Sequence, residues 1–447
     1  MLGVATLIVV NSVMAGFSTK LKDRFRGLHT DVTIESPNMN GFSTPAAELK
    51  EKILNSRAGE FIEAMTETVE VFGMATFELY LQSGGSEPIT MPVQVIGIDP
   101  EARAKLGGFA QYLTTPSRRE KPSFELDPKA LARWHHLHPP VDIPEHKPLI
   151  PGAPPLPDPP RDPVKPMGCF PGFAITHYRS TDPVTGAVNH KPLLLMGDSI
   201  RIVTASATKR LEPVYADFAI ADSIQTEIPE YDRGFFWVKL EDLQTIRGMP
   251  GRCSHIHIRL KDYSKNKEAV EALREIFPDE REAIVQTWED KNRTLLDAID
   301  TERGILNLLL FMIVGVAGFS VLAVFSMIVR EKTRDIGILK SLGASDRGVM
   351  SIFLGYGLLL GGLGAGLGIA LGLTIVHYIN PIEQFLSKNT GVGFDRRVYY
   401  FEELPTHVQP EMVALVTIGA LLISVLFSVL PALRAAMLKP VRALRYE

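Results

Sequence analysis

Residues 305–329 read ILNLLLFMIVGVAGFSVLAVFSMIV, twenty-five positions without a charge. A run of that length suits a helix that crosses a bilayer, because ~20 apolar residues span the hydrocarbon. Charge returns at once in REKTRDIGILKSLGAS, residues 330–345. That segment reads as a short helix of mixed sign at the membrane surface, ended by a glycine. Two more apolar runs follow, at 348–379 and 412–433. The opening stretch MLGVATLIVVNSVMAGF, residues 1–17, is apolar but falls short of a full span. It has neither the basic leader nor the small-residue cleavage site of a signal peptide. It reads as the outer part of a first transmembrane helix, either short or recorded from too late a start.

Charge sets the orientation. The segment 330–347 carries Arg330, Lys332, Arg334, Lys340 and Arg347, and the tail carries Arg434, Lys439, Arg442 and Arg445. The loop 381–411 carries only Lys388, Arg396 and Arg397 against five acids. The positive-inside rule then places 330–347 and the tail in the cytoplasm, with 381–411 and the large polar region 18–303 outside. No span carries Asp, Glu, Lys or Arg in its middle, which argues against a proton-coupled carrier or an ion channel. A net charge of −4 argues against nucleic acid as a partner.

The third span is rich in glycine. Gly357 and Gly361, then Gly364, Gly368 and Gly372, recur at four-residue spacing and share a helix face that permits close helix–helix packing. Pro431 stands near the end of the fourth span, where it is expected to kink the helix.

The external region 18–303 alternates strand and helix signals and reads as an α+β domain. VTIES (32–36) reads as a strand, and FELYLQ (77–82) with MPVQVIGID (91–99) as a hairpin around SGGSEPIT. KPLLLMGDSIRIVTA (191–205) and FFWVKLEDLQTI (235–246) read as strand-rich, and SHIHIRL as a strand before an amphipathic helix. Residues 139–171 hold 13 prolines in 33 positions, a composition that favours extended polyproline-like or disordered chain, and a Pro-rich insertion is expected at about 115–171. TWEDKNRTLLDAIDTERG, 287–304, has helical spacing and predicts a stalk continuous with the span that follows. His135, His136 and His138 have no Cys or acidic partner at ligand spacing, and His255 and His257 share one face of a strand as surface or core residues commonly do, so no metal site is expected. Cys169 and Cys253 are compatible either with a disulfide or with two unrelated thiols. LQSGGSE (81–87) resembles an ABC ATPase signature only superficially, since no GxxxxGK[ST] loop is present to cradle phosphates. The chain is therefore read as non-catalytic.

Several motifs resemble a known family. REKTRDIGILKSLGAS (330–345), VYYFEELPTHV (398–408) and LPALRAAMLKPVRALRYE (430–447) resemble FtsX-type ABC transporter permeases, and within them the lipoprotein-releasing LolC/LolE type. NSVMAGF (11–17), VIGIDP (95–100), GDSIRI (197–202) and IPEYD (228–232) resemble the same type. The resemblance implies a MacB/LolE-like architecture: four transmembrane helices forming an FtsX-like domain over 304–447, plus a periplasmic α+β domain. It implies a bacterial inner-membrane subunit that pairs with a second permease copy or homologue and docks on a cytoplasmic ABC ATPase. ATP and Mg would bind that ATPase, with no cofactor on this chain. Glu331, Lys332, Arg334, Asp335, Ile336, Leu339 and Leu342 would form the coupling element, with Ile336 and Leu339 entering an ATPase groove. A loop at about 204–217, centred on Lys209, Arg210, Leu211 and Pro213, would occupy the position that recruits a periplasmic lipoprotein chaperone. Its sequence, TASATKRLEPVYAD, departs from the family's hook, so a role in substrate entry stands beside chaperone capture. The cargo implied is lipoprotein or lipid. A MacB-like export permease and an FtsX-like regulator of a cell-wall hydrolase are the alternatives.

Overall fold

The computed structural model describes residues 1–28, 30–80, 85–139, 165–181, 188–208, 210–226, 228–390 and 403–439. The chain divides into two compact units, one made of 1–23 with 293–447 and the other of 24–292.

The first unit is helical. Among the described residues four helices are long and apolar enough to cross a membrane: Leu2–Leu28, whose apolar part is Leu2–Lys22, then Arg293–Glu331, Asp346–His377 and Pro410–Ala436. They are called here the first to fourth spans. Their outward faces are apolar, with Phe311, Phe319, Leu359, Leu363, Leu422 and Leu426 all exposed. Such surfaces are stable against lipid and unstable against water. The stalk begins later than expected. A one-turn helix, Trp288–Lys291, is closed by a capping box between Thr287 and Asp290, and Asn292 interrupts it. From Arg293 a single helix of 39 residues runs through Gly304 without a break.

Among the described residues the second unit has eleven strands: β1 (Val32–Glu35), β2 (Ile62–Tyr80), β3 (Ser86–Ile98), β4 (Met167–Pro171), β5 (His177–Thr181), β6 (Val188–Pro192), β7 (Ser199–Ala205), β8 (Pro213–Ile220), β9 (Phe235–Lys239), β10 (His255–Leu260) and β11 (Ile284–Thr287). Nine form one sheet in the order β11-β1-β10-β2-β3-β9-β4-β8-β7, and β7 returns to pair with β2. Six strands therefore close into a ring, and closure leaves those strands no free edge. The 19-residue β2 belongs to both parts: Ile62–Thr68 pairs with β10, and Val69–Tyr80 with β3.

Alternation fills the ring. Val69, Val71, Ala75 and Phe77 of β2 point inward with Val93, Val95, Ile200, Ile202, Phe218 and Phe236. The open part of the sheet packs Ile34, Ile256 and Ile258 against helices Ala46–Leu54 and Asn266–Ile276.

Two expectations change. The proline-rich window ends earlier than its composition suggests, because Met167–Pro171 is β4, seated between β9 and β8 with Cys169 and Phe170 fully buried. Proline counting hid the apolar run MGCF. The window also begins later, since Pro116–Glu120 and Pro128–Leu137 are helices and Phe124 stacks on Phe170 at 4.3 Å. Its densest part, 140–164, lies outside the described residues. In FFWVKLEDLQTI the strand stops at Lys239 and helix Leu240–Arg247 follows, with Leu240 and Leu243 buried one turn apart.

Candidate functional site

The expected coupling element is a helix of nine residues, Thr333–Ser341, between the second and third spans. Lys332 (φ −90°, ψ 8°) turns the chain into it. Gly343, at φ +98°, turns the chain out, a conformation that a Cβ would strain. Ser345 then caps the third span, its Oγ accepting from Gly348 N at 3.1 Å.

The two faces of this helix differ. Ile336 is only 4 % exposed and packs with Phe325, Val329, Val349, Phe353, Ala432 and Ala435. It cannot enter a partner's groove as expected, because it anchors the helix to the ends of the second, third and fourth spans. Leu339 and the C-cap residue Leu342 are instead exposed, with Ile338 beside them. Leu339 is 46 % and Leu342 81 % exposed. Glu331, Lys332, Arg334 and Asp335 are exposed as well, and Lys332 Nζ meets Asp335 Oδ2 at 3.0 Å.

Lys340, which the sequence offers only as one of the basic residues of 330–347, ties the spans together. Its side chain is 9 % exposed, and its ammonium donates to Ala436 O and to Leu438 O at 2.9 Å, while pairing with Asp346 Oδ1 at 2.9 Å. It satisfies carbonyls left over at the C-terminus of the fourth span. A lysine in a charged segment carries no signal of this until the helices are assembled.

The glycine face serves two neighbours. A Cβ at Gly357 would lie 2.5 Å from Ser428 Oγ, and one at Gly361 would lie 2.9 Å from Ser424 Cβ. Ser424 Oγ donates to Gly357 O at 2.9 Å. Further along, a Cβ at Gly368 would meet Val4 Cβ at 2.8 Å, and at Gly372 Ile8 Cβ at 3.2 Å, while Gly364 lies near Met1. The third span therefore sits against the fourth with one part of its glycine row and against the first with the other.

In the second unit, Arg210, Leu211 and Pro213 lie at the β7–β8 turn, and Lys209 lies outside the described residues. Ser206 ties this turn, its N donating to Glu212 O at 2.9 Å and its Oγ accepting from Glu212 N at 3.0 Å. Leu211 is exposed, and beside it the ring presents Phe72, Met74 and Tyr215 outward. Met74 pairs with Val203, and Val203 with Tyr215, so these side chains form a stripe across three strands.

His255 and His257 are buried. No cluster able to hold a metal occurs among the described residues. His257 Nε2 lies 3.0 Å from Glu70 Oε1, and its Nδ1 lies 3.0 Å from Thr30 Oγ1. A neutral ring with its hydrogen on Nε2 donates to the carboxylate and accepts from the threonine. His255 Nε2 lies 3.4 Å from Glu35 Oε2 and 3.8 Å from Glu70 Oε2. Burial, joined by the Arg103 guanidinium, pushes the His257 imidazole down to about 3. Burial works to raise the Glu70 carboxyl, but neighbouring His255 and the hydrogen bond from His257 outweigh it and hold it well below the usual range.

The four apolar helices and the short helix joining the second and third of them suit a membrane protein. Residues 307–440 match the family model described as FtsX-like permease C-terminal, so this portion of the chain is an FtsX-like permease domain. Over 259 residues, 56% of this chain and 61% of the relative, the chain is 30% identical to the lipoprotein-releasing system transmembrane protein LolC of Xylella fastidiosa (strain 9a5c). It is 28% identical over 220 residues to the LolE protein of Haemophilus influenzae, covering 48% and 52% of the two chains. It is also 28% identical over 200 residues to the macrolide export ATP-binding/permease protein MacB of Chromobacterium violaceum, covering 42% of this chain and 27% of that one. The aligned regions span less than two thirds of the length of these relatives.

Proposed function

We propose that this chain is the transmembrane subunit of an ABC transporter that extracts lipoprotein from the bacterial inner membrane, driven by a separate cytoplasmic ATPase. Helix Thr333–Ser341 lies in the cytoplasm and the unit 24–292 in the periplasm, in keeping with the basic residues gathered near 330–347. The observation that carries the reading is the outward pair Leu339 and Leu342 on a short helix fixed from behind by Ile336, within an FtsX-like domain. An apolar pair flanked by Glu331, Lys332, Arg334 and Asp335 suits a groove on a partner, the charges setting register. ATP and Mg bind that partner. Closure of two such permease subunits on ATP binding moves the stalk helix, and the periplasmic units follow. The lipoprotein cargo is supported by the names of the LolC and LolE relatives. The stripe of Phe72, Met74 and Tyr215 beside Arg210, Leu211 and Pro213 offers an apolar surface for a lipoprotein chaperone or for the cargo itself.

The test is co-purification of the ATPase with the tagged full chain. Leu339→Asp with Leu342→Asp is expected to abolish association while the chain elutes as wild type. Ile336→Asp is expected to damage the fold instead, because it buries a carboxylate in an apolar cluster. Full retention of the ATPase by the double variant would sink the docking role. Capture of a hydrophobic drug rather than an acylated protein would transfer the cargo assignment to the export reading.

A further inference from the structure

We propose that the ends of the second and fourth spans form a binding site for the phosphate of an anionic phospholipid, held by Arg330 and Arg434. A cavity of about 170 Å³ lies between these helix ends, lined by Ser326, Val329, Arg330, Thr333, Arg434 and Leu438 among others. It is roughly tenfold larger than the ~10–15 Å³ needed to hold one water. Among the described residues no carboxylate lines it and neither arginine has an ion pair. Both arginines therefore line one space at the depth where two uncharged runs end, since each is the first charge after its run. Basic pockets between spans at this depth suit lipid head groups.

The bland alternative is that both arginines merely oppose the negative C-terminal ends of their helices. The magnitudes decide against it. Each helix end carries roughly half a negative charge. At the fourth span Lys340 already sits on Ala436 O and on Leu438 O just past the end, and backbone N–H groups of Met437 and Leu438 take Leu433 O and Ala435 O. At the second span, Thr333 Oγ1 donates to Val329 O at 2.9 Å and Lys332 N to Ile328 O at 2.9 Å. Two full positive charges thus exceed what the helix ends absorb. The surroundings favour a lipid over a free anion. Leu422, Leu426, Leu430 and Arg434 recur at four-residue spacing on one face, the leucines all exposed, so an acyl chain can lie along them beneath a head group at the arginine. Ser326 supplies a hydroxyl donor. The Thr333 hydroxyl is committed to Val329.

This inference requires the membrane placement but neither the cargo nor the ATPase. Native mass spectrometry of the full chain in neutral detergent tests it, with dioleoyl phosphatidylglycerol, dioleoyl phosphatidylcholine or inorganic phosphate added. Phosphatidylglycerol is expected to be retained in preference to phosphatidylcholine, and the preference to shrink in high salt. Arg330→Gln or Arg434→Gln should each weaken retention about fivefold and the pair about thirtyfold, at roughly one surface-charge contribution per arginine. Arg434→Lys keeps the charge and should retain most of the binding, and Arg347→Gln, away from the cavity, all of it. Equal retention of the two lipids by the wild-type chain overturns the proposal, as does wild-type retention by the double variant. Displacement of the lipid by inorganic phosphate would make this a free-anion site and overturn the lipid assignment.

Discussion

Acid should destabilise the α+β unit through His257, and the size of the effect follows from the buried network. An unfolded histidine titrates near 6.5. In the folded unit the ring is pushed down to about 3. Between those values the unfolded chain holds a proton that the folded chain does not, so stability falls as pH falls. From about pH 7 to about pH 5 the ring crosses roughly 1.5 units of that window, which is worth about 2 kcal/mol at most. Glu70 has the opposite window. Its carboxyl is held below the usual range, so its contribution is fully present above the ordinary carboxylate pKa and is lost only at lower pH. Trp134, Trp237 and Trp288 are the chain's three tryptophans, and all lie in the unit 24–292. Urea unfolding of the full chain in detergent, followed by tryptophan fluorescence, therefore reads this unit alone. With a slope of about 2 kcal/mol/M, the midpoint should drop by about 1 M between the two pH values. His257→Gln keeps a donor for Glu70 and an acceptor for Thr30 but cannot take up a proton. It should lose stability at neutral pH yet flatten the acid dependence by about 2 kcal/mol. His177, lowered by its own burial, leaves a residual slope of the same sign in both chains. A His257→Gln chain that loses as much on acidification as the wild type would refute the reasoning, and so would a wild type that gains stability.

Two further outcomes test the packing. Gly361→Leu should cost about 1–3 kcal/mol or break the helix pair, because its side chain would meet Ser424, whereas Gly362→Leu, with nothing within 4 Å, should behave as wild type in thermal aggregation followed by size exclusion. Cys169 and Cys253 are free and fully buried, and burial pushes the first thiol well up and the second to about 12; thiol titration should therefore find neither group in the native chain and both after denaturation.

The membrane half was legible because its rule is local. A helix in lipid satisfies its own backbone, so an uncharged run such as 305–329 announces itself by length alone. The glycine spacing also announced a close contact, and Gly357 and Gly361 lie against Ser428 and Ser424. What sequence could not tell was which side of the surface helix is taken by its own chain. Ile336 and Leu339 are both apolar and three apart, yet one is buried and the other exposed. That choice is made by Val349, Phe353 and Ala432, which reach Ile336 from other helices. The α+β unit was legible only in pieces. The hairpin of β2 and β3 is sequential and was anticipated, whereas β4, β8 and β9 meet across long stretches of chain. Strand β4 was missed because its four apolar residues follow a run of prolines that dominates any composition window.

The double membership of β2 has a mechanical consequence for the unit. Its first half is laddered to β10 in the open sheet, and its second half to β3 and β7 in the ring. No loop separates the halves, so sliding one part of the unit past the other means breaking β2 or stripping one of its ladders. Each backbone hydrogen bond contributes about 1 kcal/mol net, and a register slip by one residue would also turn Val69, Val71 and Ala75 out of the core. A ladder of twelve paired residues between β2 and β3 makes either route costly. A displacement applied at the open sheet, where β11 leads toward the stalk, is therefore carried to the ring by a single strand rather than absorbed at a hinge. The coupling proposed above would draw on this stiffness, and continuity of β2 supplies it without any charged group taking part.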